Sequence, residues 1–328
     1  MENRDLESLK RIGNVLKKSK SVILIPHVNI DGDDLGSMTA LSLGLNSLGI
    51  KTVCMSHDLI PDNLNFLKNV DKFVYSLPNE IFDTLVFMEC TNLKRVPENI
   101  IPQNIAKTVI NIDHHVGNTL VADESFIDIS ASAVGEMVFD LLHLMEIKID
   151  KDMATALYLS IISDTGGFRY SNTTEKTFDI ARKLVILGAD TSLASKKAFL
   201  SNKLDFVRLS GYLMTNLKSE CNGKFIWSYL TFEKMQEFGL SKKDLGRLPE
   251  TLNIIDGCIV FCIFTEKEDG TVSVSLRSSS DDHPIRDYAL SYGGGGHMLA
   301  SGCTLESKDL IIELVEKIKK DLLLKNRR

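Results

Sequence analysis

The sequence predicts an α/β protein, with an N-terminal parallel sheet carrying helices on both faces and a smaller α/β domain after it. Three observations lead there. The apolar runs SVILIP, TLVFM and TVINI are continuous rather than alternating, as in strands buried on both faces. Stretches of helical periodicity separate them. After Gly188 the pattern changes, and a second series of strands follows a helix-prone, Lys/Ser-rich stretch.

In chain order, residues 5–19 place Leu6, Leu9, Ile12, Val15 and Leu16 on one face of an amphipathic helix. SVILIP is the first strand, followed by a polar loop and a helix from about Leu35 to Leu48. KTVCM is the next strand. TLVFM (84–88) and TVINI (108–112) repeat the first pattern, apolar and ending abruptly in acidic or polar residues. Helical patterns recur at about 133–146, 152–163 and 174–187. The expected divisions are a first domain over 1–190, a helical connector over 191–215 and a second domain over 216–328. In the second domain KFIWSYLTF, GCIVFCIFTE and TVSVSLRS are predicted strands, with EDG (268–270) as the turn between the last two. A glycine-rich loop and an amphipathic helix (308–323) complete it. There is no internal repeat.

The 328 residues suffice for two domains, and 44% hydrophobic with 25% charged residues excludes a disordered chain. A net charge of -6, from 38 basic and 44 acidic side chains, argues against gripping long duplex nucleic acid, where affinity comes largely from neutralising phosphates. Short anionic ligands stay open. The six cysteines form no CxxC pair and fall mostly in apolar runs, as reduced buried thiols do. Met1 through Lys20 contain no stretch resembling a signal peptide, and no apolar run approaches the ~20 residues needed to span a bilayer. A cytoplasmic protein without membrane contact is expected.

In an open parallel sheet, active sites collect at the carboxyl ends of strands. SVILIP leads into His27, Asp31 and Asp33; TLVFM leads into Glu89; TVINI leads into Asp113, His114 and His115. Asp164 follows the apolar end of a predicted helix. One such acid alone would be a cap or turn residue. Together they read as a metal site. Imidazole and carboxylate without thiolate favour Mn, Mg, Fe or Zn, and an oxygen-rich shell tilts toward Mn or Mg. The donors exceed what one ion needs, whereas a pair ~3.5–4 Å apart sharing a bridging carboxylate uses them, and such a pair serves phosphate-ester hydrolysis.

These residues resemble the DHH phosphoesterase superfamily. His27-x-x-x-Asp31-x-Asp33 in HVNIDGDDLGS is similar to its first motif, Asp113-His114-His115 to the motif that names it, and Asp164 in SDTGGFRYSNTT to the fourth. SLRS followed by GGGGHMLASGC is similar to the DHHA1 domain of the stand-alone members. The resemblance implies a DHH catalytic domain, a DHHA1 substrate-binding domain and an active site in the cleft between them. It implies two divalent metal ions, Mn first, with Mg or Co as alternatives. His27 and Asp31 would hold one ion; Asp33, His114 and Asp164 would hold the other. His115 would face the scissile phosphate as a general acid or hydrogen-bond donor. Asp113 is either a strand-end cap or the partner that orients a neighbouring imidazole.

Two positions depart from the family pattern. The second motif normally supplies a bridging Asp, and here Glu89 stands in MECTN, its carboxylate farther out by roughly one carbon–carbon bond, ~1.5 Å. Glu89 is expected to ligate nonetheless. Asp34 occupies a position where the family often has a small residue, and it reads as a solvated acid at a helix N-terminus.

For substrate, Arg277 at the end of TVSVSLRS suits a bidentate phosphate contact rather than a place on the bare surface, with Ser278 beside it. Gly294, Gly295 and Gly296 would let backbone approach a ligand, His297 would contact a phosphate or base, and MLAS could start a helix facing an anion. Arg169 is a weaker candidate, because many relatives carry their basic residue two positions earlier, at Gly167. His57, His143 and His283 are expected to be structural or on the surface. The resemblance implies a Mn-dependent phosphodiesterase and 3′–5′ exoribonuclease that cuts short RNA or dinucleotides (nano-RNA, pApA) to nucleoside monophosphates. A pAp 3′-phosphatase and a cyclic di-AMP phosphodiesterase are the alternatives, and relatives are often homodimers. The DHH pyrophosphatases have a different C-terminal domain. A non-catalytic nucleotide-binding protein, disabled by Glu89, is the reading from another class.

Overall fold

The computed structural model describes residues 3–97, 100–240, 245, 248, 254–296 and 298–325. Contacts divide the chain into two units, Met1–Ser201 and Asn202–Arg328.

The first unit runs α1 (Asn3–Lys18), β1 (Ser21–Ile25), α2 (Gly32–Ser47), β2 (Lys51–Cys54), β3 (Phe82–Met88), α3 (Pro102–Ile105), β4 (Ala106–Asp113), β5 (Glu124–Ile127), α4 (Val134–Leu144), α5 (Lys151–Asp164), α6 (Glu175–Ile186) and α7 (Thr191–Phe199), with short 3₁₀ turns between. Its strands are parallel, in the order β2-β1-β3-β4-β5. The chain steps outward from β1 to β2, then returns past β1 to β3. The carboxyl edge between β1 and β3 is therefore a topological switch point, where open α/β sheets bind ligands. Register levels the strand ends: Ile25 lies beside Phe87, and Phe87 beside Asn111.

Both sheet faces are covered, which is why the strands read as unbroken apolar runs. Val22, Leu24, Val86, Met88, Ile110 and Ile112 face a core that includes Leu9 and Ile12 of α1, Met38 and Leu41 of α2, and Leu141 of α4. Ile23, Ile25, Leu85 and Phe87 face Val96, Ile100, Ile105 and Leu120, supplied by α3, the segment before it and the segment between β4 and β5. β5 was not foreseen. ESFI is short and half-buried, without the apolar continuity of the inner strands.

α2 is buried nearly all round and runs antiparallel to α5. Gly32 meets Ser163, and a Cβ on Gly36 would collide with the Ala156 carbonyl. That close approach sets the acidic start of α2 beside Asp164, the last residue of α5.

The second unit runs α8 (Leu204–Thr215), β6 (Lys218–Glu220), β7 (Phe225–Leu230), α9 (Phe232–Glu237), β8 (Val260–Glu266), β9 (Val272–Ser278), α10 (Arg286–Ser291), β10 (Gly295–Gly296), β11 (Ala300–Leu305) and α11 (Leu310–Lys325). Its mixed sheet has the order β10-β11-β9-β8-β7-β6, with β7 and β8 the parallel pair. Trp227, Phe264 and Leu276 pack with Leu314 and Ile318 of α11, while Ile226 and Phe261 pack with Phe206 and Leu209 of α8. β8 and β9 form an antiparallel hairpin closed by Lys267 and Thr271. Residues 191–215 hold two helices, α7 in the first unit and α8 in the second.

One expectation is corrected here. MLAS does not start a helix; Ala300 and Ser301 open β11, with Ala300 opposite Arg277 and the Leu299 carbonyl accepting from the Ser278 amide. Pairing with β9 outweighs local helical preference. The adjoining glycines have a structural use too, since a Cβ on Gly294 would collide with the Gly302 carbonyl.

Candidate metal centre and active site

Asp31 caps α2, its Oδ1 accepting from the amides of Asp33 (2.9 Å) and Asp34 (3.1 Å). This cap turns the chain so that Asp33 and Asp34 enter the protein on different sides of the helix. Donor atoms of His27, Asp31, Asp34 and Glu89 lie within 4.8 Å of one another, and so do those of Asp33, His114 and Asp164. A third group of Glu89, His114 and His115 joins the two.

His27 donates from Nδ1 to the Val28 carbonyl at 2.6 Å. Its Nε2 faces Asp34 Oδ2 at 3.3 Å and Glu89 Oε2 at 3.9 Å. Burial lowers the pKa of His27, so Nε2 presents a lone pair to carboxylates. Asp34 is fully buried, and no hydrogen bond reaches either of its oxygens. The expectation of a solvated acid is therefore wrong, because α2 has no wet face at that position. Burial, with Asp31 and Asp33 nearby, holds Asp34 well above the usual carboxylate range.

Glu89 follows β3 directly and has φ +57°, the left-handed region, which costs a non-glycine residue about 1–3 kcal/mol. Its amide donates to the Ile112 carbonyl at 2.9 Å, and its side chain is buried with no hydrogen bond to Oε1. Burial and then the charges of Asp33 and Asp34 raise its pKa well above the ordinary value. The backbone turn accompanies the longer side chain at this motif.

Asp33 is held by α4, whose N-cap residue Ala133 offers no side-chain acceptor. Asp33 Oδ2 accepts from the Val134 amide (2.7 Å), and Oδ1 from the Gly135 amide (3.2 Å) and the Ser160 hydroxyl (2.5 Å). Burial, with Asp164 beside it, pushes Asp33 up to about 7. His114 donates from Nδ1 to the Ala131 carbonyl (3.0 Å), and its Nε2 lies 3.2 Å from Asp164 Oδ2. Burial pushes His114 down, but Asp164 and then Asp33 outweigh it and raise the imidazole to about 10.

Asp113 ends β4 and does two things at once. Its Oδ1 accepts from the His115 amide (3.1 Å) and from His115 Nδ1 (2.6 Å). The His115 ring stands edge-on to His114 at 4.8 Å between centroids. Asn118 was not foreseen: its Nδ2 donates to Asp113 Oδ2 and to the Cys90 carbonyl, while its Oδ1 accepts from Asn111 and the Leu120 amide. Nothing local distinguishes such a loop asparagine in the sequence.

Arg277 and Ser278 lie at the end of β9 in the second unit, where Arg277 Nη1 donates to the Leu276 carbonyl and Ser278 Oγ to the Ser280 carbonyl. Gly294, Gly295 and Gly296 lead into and form β10, and His297 lies outside the described residues. Arg169 is turned onto the Phe199 ring, 5.7 Å from its centroid, with Nε donating to the Gly166 carbonyl. His57 and His283 are partly buried, and His143 stacks on Phe139.

The residues present fit divalent cations. Both His27 and His114 spend Nδ1 on a backbone carbonyl, the arrangement that metal-ligating histidines adopt to fix the other nitrogen. Buried Asp34 and Glu89 keep oxygens without donors, a state that favours a bound cation or retained protons. No thiolate takes part, and carboxylate oxygen predominates.

Residues 21–161 match the model of the DHH family, N-terminal domain, and residues 222–322 that of the DHHA1 domain. The chain is 30% identical over 318 residues to the bifunctional oligoribonuclease and PAP phosphatase NrnA of Thermus thermophilus, covering 94% of this chain and 92% of that protein. The protein of the same name from Bacillus subtilis is 30% identical over 294 residues, 88% of this chain and 90% of that one. An exopolyphosphatase-related protein from Bacteroides fragilis shares the fold, with TM-score 0.89 and 23% identity over 97% of this chain and 98% of that one.

Proposed function

Because this chain belongs to the DHH family, with a DHHA1 domain after its DHH domain, we propose that it is a Mn-dependent phosphodiesterase and 3′–5′ exoribonuclease of very short RNA. It would hydrolyse oligonucleotides and dinucleotides such as pApA to nucleoside monophosphates. The observation that carries this reading is the pair of donor groups joined through Glu89 and His114, with the Asp113–His115 pair beside them. The T. thermophilus and B. subtilis relatives, alike over most of their length, support it and favour removal of the pAp 3′-phosphate as a second activity.

His27, Asp31 and Glu89 would hold one cation, and Asp33, His114 and Asp164 the other, with Glu89 between them. When bound, such a pair neutralises phosphoryl oxygens and acidifies a water for attack. Asp113 holds the His115 ring by its Nδ1–H, and His115 as the imidazolium would offer its Nε2 proton to the departing nucleotide oxygen. Arg277 and Ser278 are proposed to grip a substrate phosphate. An enzyme of this kind would work in the cytoplasm, which agrees with its six free cysteines; no helix among the described residues is long and apolar enough to cross a membrane.

The test compares pApA, a short RNA, pAp and cyclic di-AMP with the purified chain and Mn²⁺, following products by chromatography. AMP from pApA and phosphate from pAp are expected. Tight binding of pApA with no product would favour a nucleotide-binding protein and overturn the enzyme reading.

A further inference from the structure

We infer that Asp34 is a metal ligand at the His27 position, which makes that position a four-donor, carboxylate-rich site. This assignment rests on the two-metal reading above. Asp34 is fully buried, neither oxygen makes a hydrogen bond of ordinary geometry, and His27 Nε2 stands 3.3 Å from Oδ2. That nitrogen is left as an acceptor, because the ring donates from Nδ1 to the Val28 carbonyl. The charge of Arg95 reaches Asp34 only through space.

A buried carboxylate facing a nitrogen lone pair and the Glu89 carboxylate is strongly unfavourable when ionised and alone. A divalent cation among the four groups turns each repulsion into coordination. Asp34 then gives the His27 position two carboxylates and one imidazole of its own, from Asp31, Asp34 and His27, to match Asp33, Asp164 and His114 at the other, with Glu89 shared between them. A set of this kind takes a hard, oxygen-preferring cation, Mn²⁺ or Mg²⁺ ahead of Zn²⁺.

The experiment measures Mn²⁺ bound per full chain by equilibrium dialysis with metal analysis, for the wild type, Asp34→Asn and Asp34→Ala. Melting temperatures with and without Mn²⁺ accompany it. The wild type should hold two ions, and both variants should retain one at wild-type affinity while the other weakens at least about 10-fold. The retained ion shows that the variant is folded. Without metal, Asp34→Asn should melt above the wild type, and it should gain less from added Mn²⁺. Two ions of unchanged affinity in both variants would overturn the role of Asp34 alone. A wild type that binds no Mn²⁺ would overturn the two-metal reading with it.

Discussion

Asp113 Oδ1 accepts two hydrogen bonds from one residue, the His115 amide at 3.1 Å and the His115 ring Nδ1 at 2.6 Å. A carboxylate pinned in this way at the end of a buried strand fixes both the tautomer and the direction of the ring. Asparagine keeps the shape but removes the charge and can hold the ring in the wrong tautomer. Asp113→Asn should lower kcat on pApA by about 10²–10⁴-fold, while Mn²⁺ binding by dialysis stays near the wild-type value. A loss of bound Mn²⁺ in proportion to activity would assign Asp113 to the metals instead.

Asn118 acts one step farther out, by holding the other oxygen of Asp113 and tying it to the Cys90 carbonyl. Asn118→Ala should reduce kcat about 10–100-fold with little change in KM. Asn118→Ser should recover part of the rate. An unchanged kcat with lowered stability would make Asn118 a purely structural residue.

Glu89 links pH to stability. Its folded pKa is raised above the ordinary 4.5, chiefly by burial, so the folded state holds a proton that the unfolded state has released. That contribution is full below the unfolded value and is lost as pH rises toward the folded one. In metal-free protein, Glu89→Gln should therefore match the wild type below the ordinary 4.5 and melt progressively higher than it as pH rises above that value. Saturating Mn²⁺ should reverse the order, because cations replace the protons in the wild type. Parallel melting curves at every pH would contradict the buried, protonated carboxylate.

The active-site approach of α2 and α5 depends on Gly36. Gly36→Ala drives a methyl group into the Ala156 carbonyl and Ser160, and overpacking of this kind costs about 1–3 kcal/mol. A lowered melting temperature is expected in calorimetry, with weakened Mn²⁺ binding as the start of α2 moves from Asp164. An unchanged melting temperature would mean that the helices part at no cost.

Much of this was legible in the sequence, for identifiable reasons. β1, β3 and β4 are covered on both faces, so SVILIP, TLVFM and TVINI stand out, and the residues that end them meet at one sheet edge. What depended on distant contacts was hidden. Asp34 reads as a wet helical acid unless His27 after β1 and Glu89 after β3 are known to lie against that side of α2. Asn118 gains its partners only when the turn after β4 meets the carbonyl of Cys90 after β3. The start of β11 looks helical in isolation, and its pairing with β9 decides otherwise. Glu89 was visible as a departure, but its left-handed backbone was not.

Metal dependence of turnover tests the proposed chemistry most directly. The chain is stripped with a chelator, and AMP release from pApA is followed as Mn²⁺ is returned and bound metal is counted in the same samples. Stripped protein should release no AMP, and activity should appear as the second ion binds. Equal turnover in stripped and reloaded protein, or no AMP from protein holding two ions, would contradict a phosphoesterase centred on these residues.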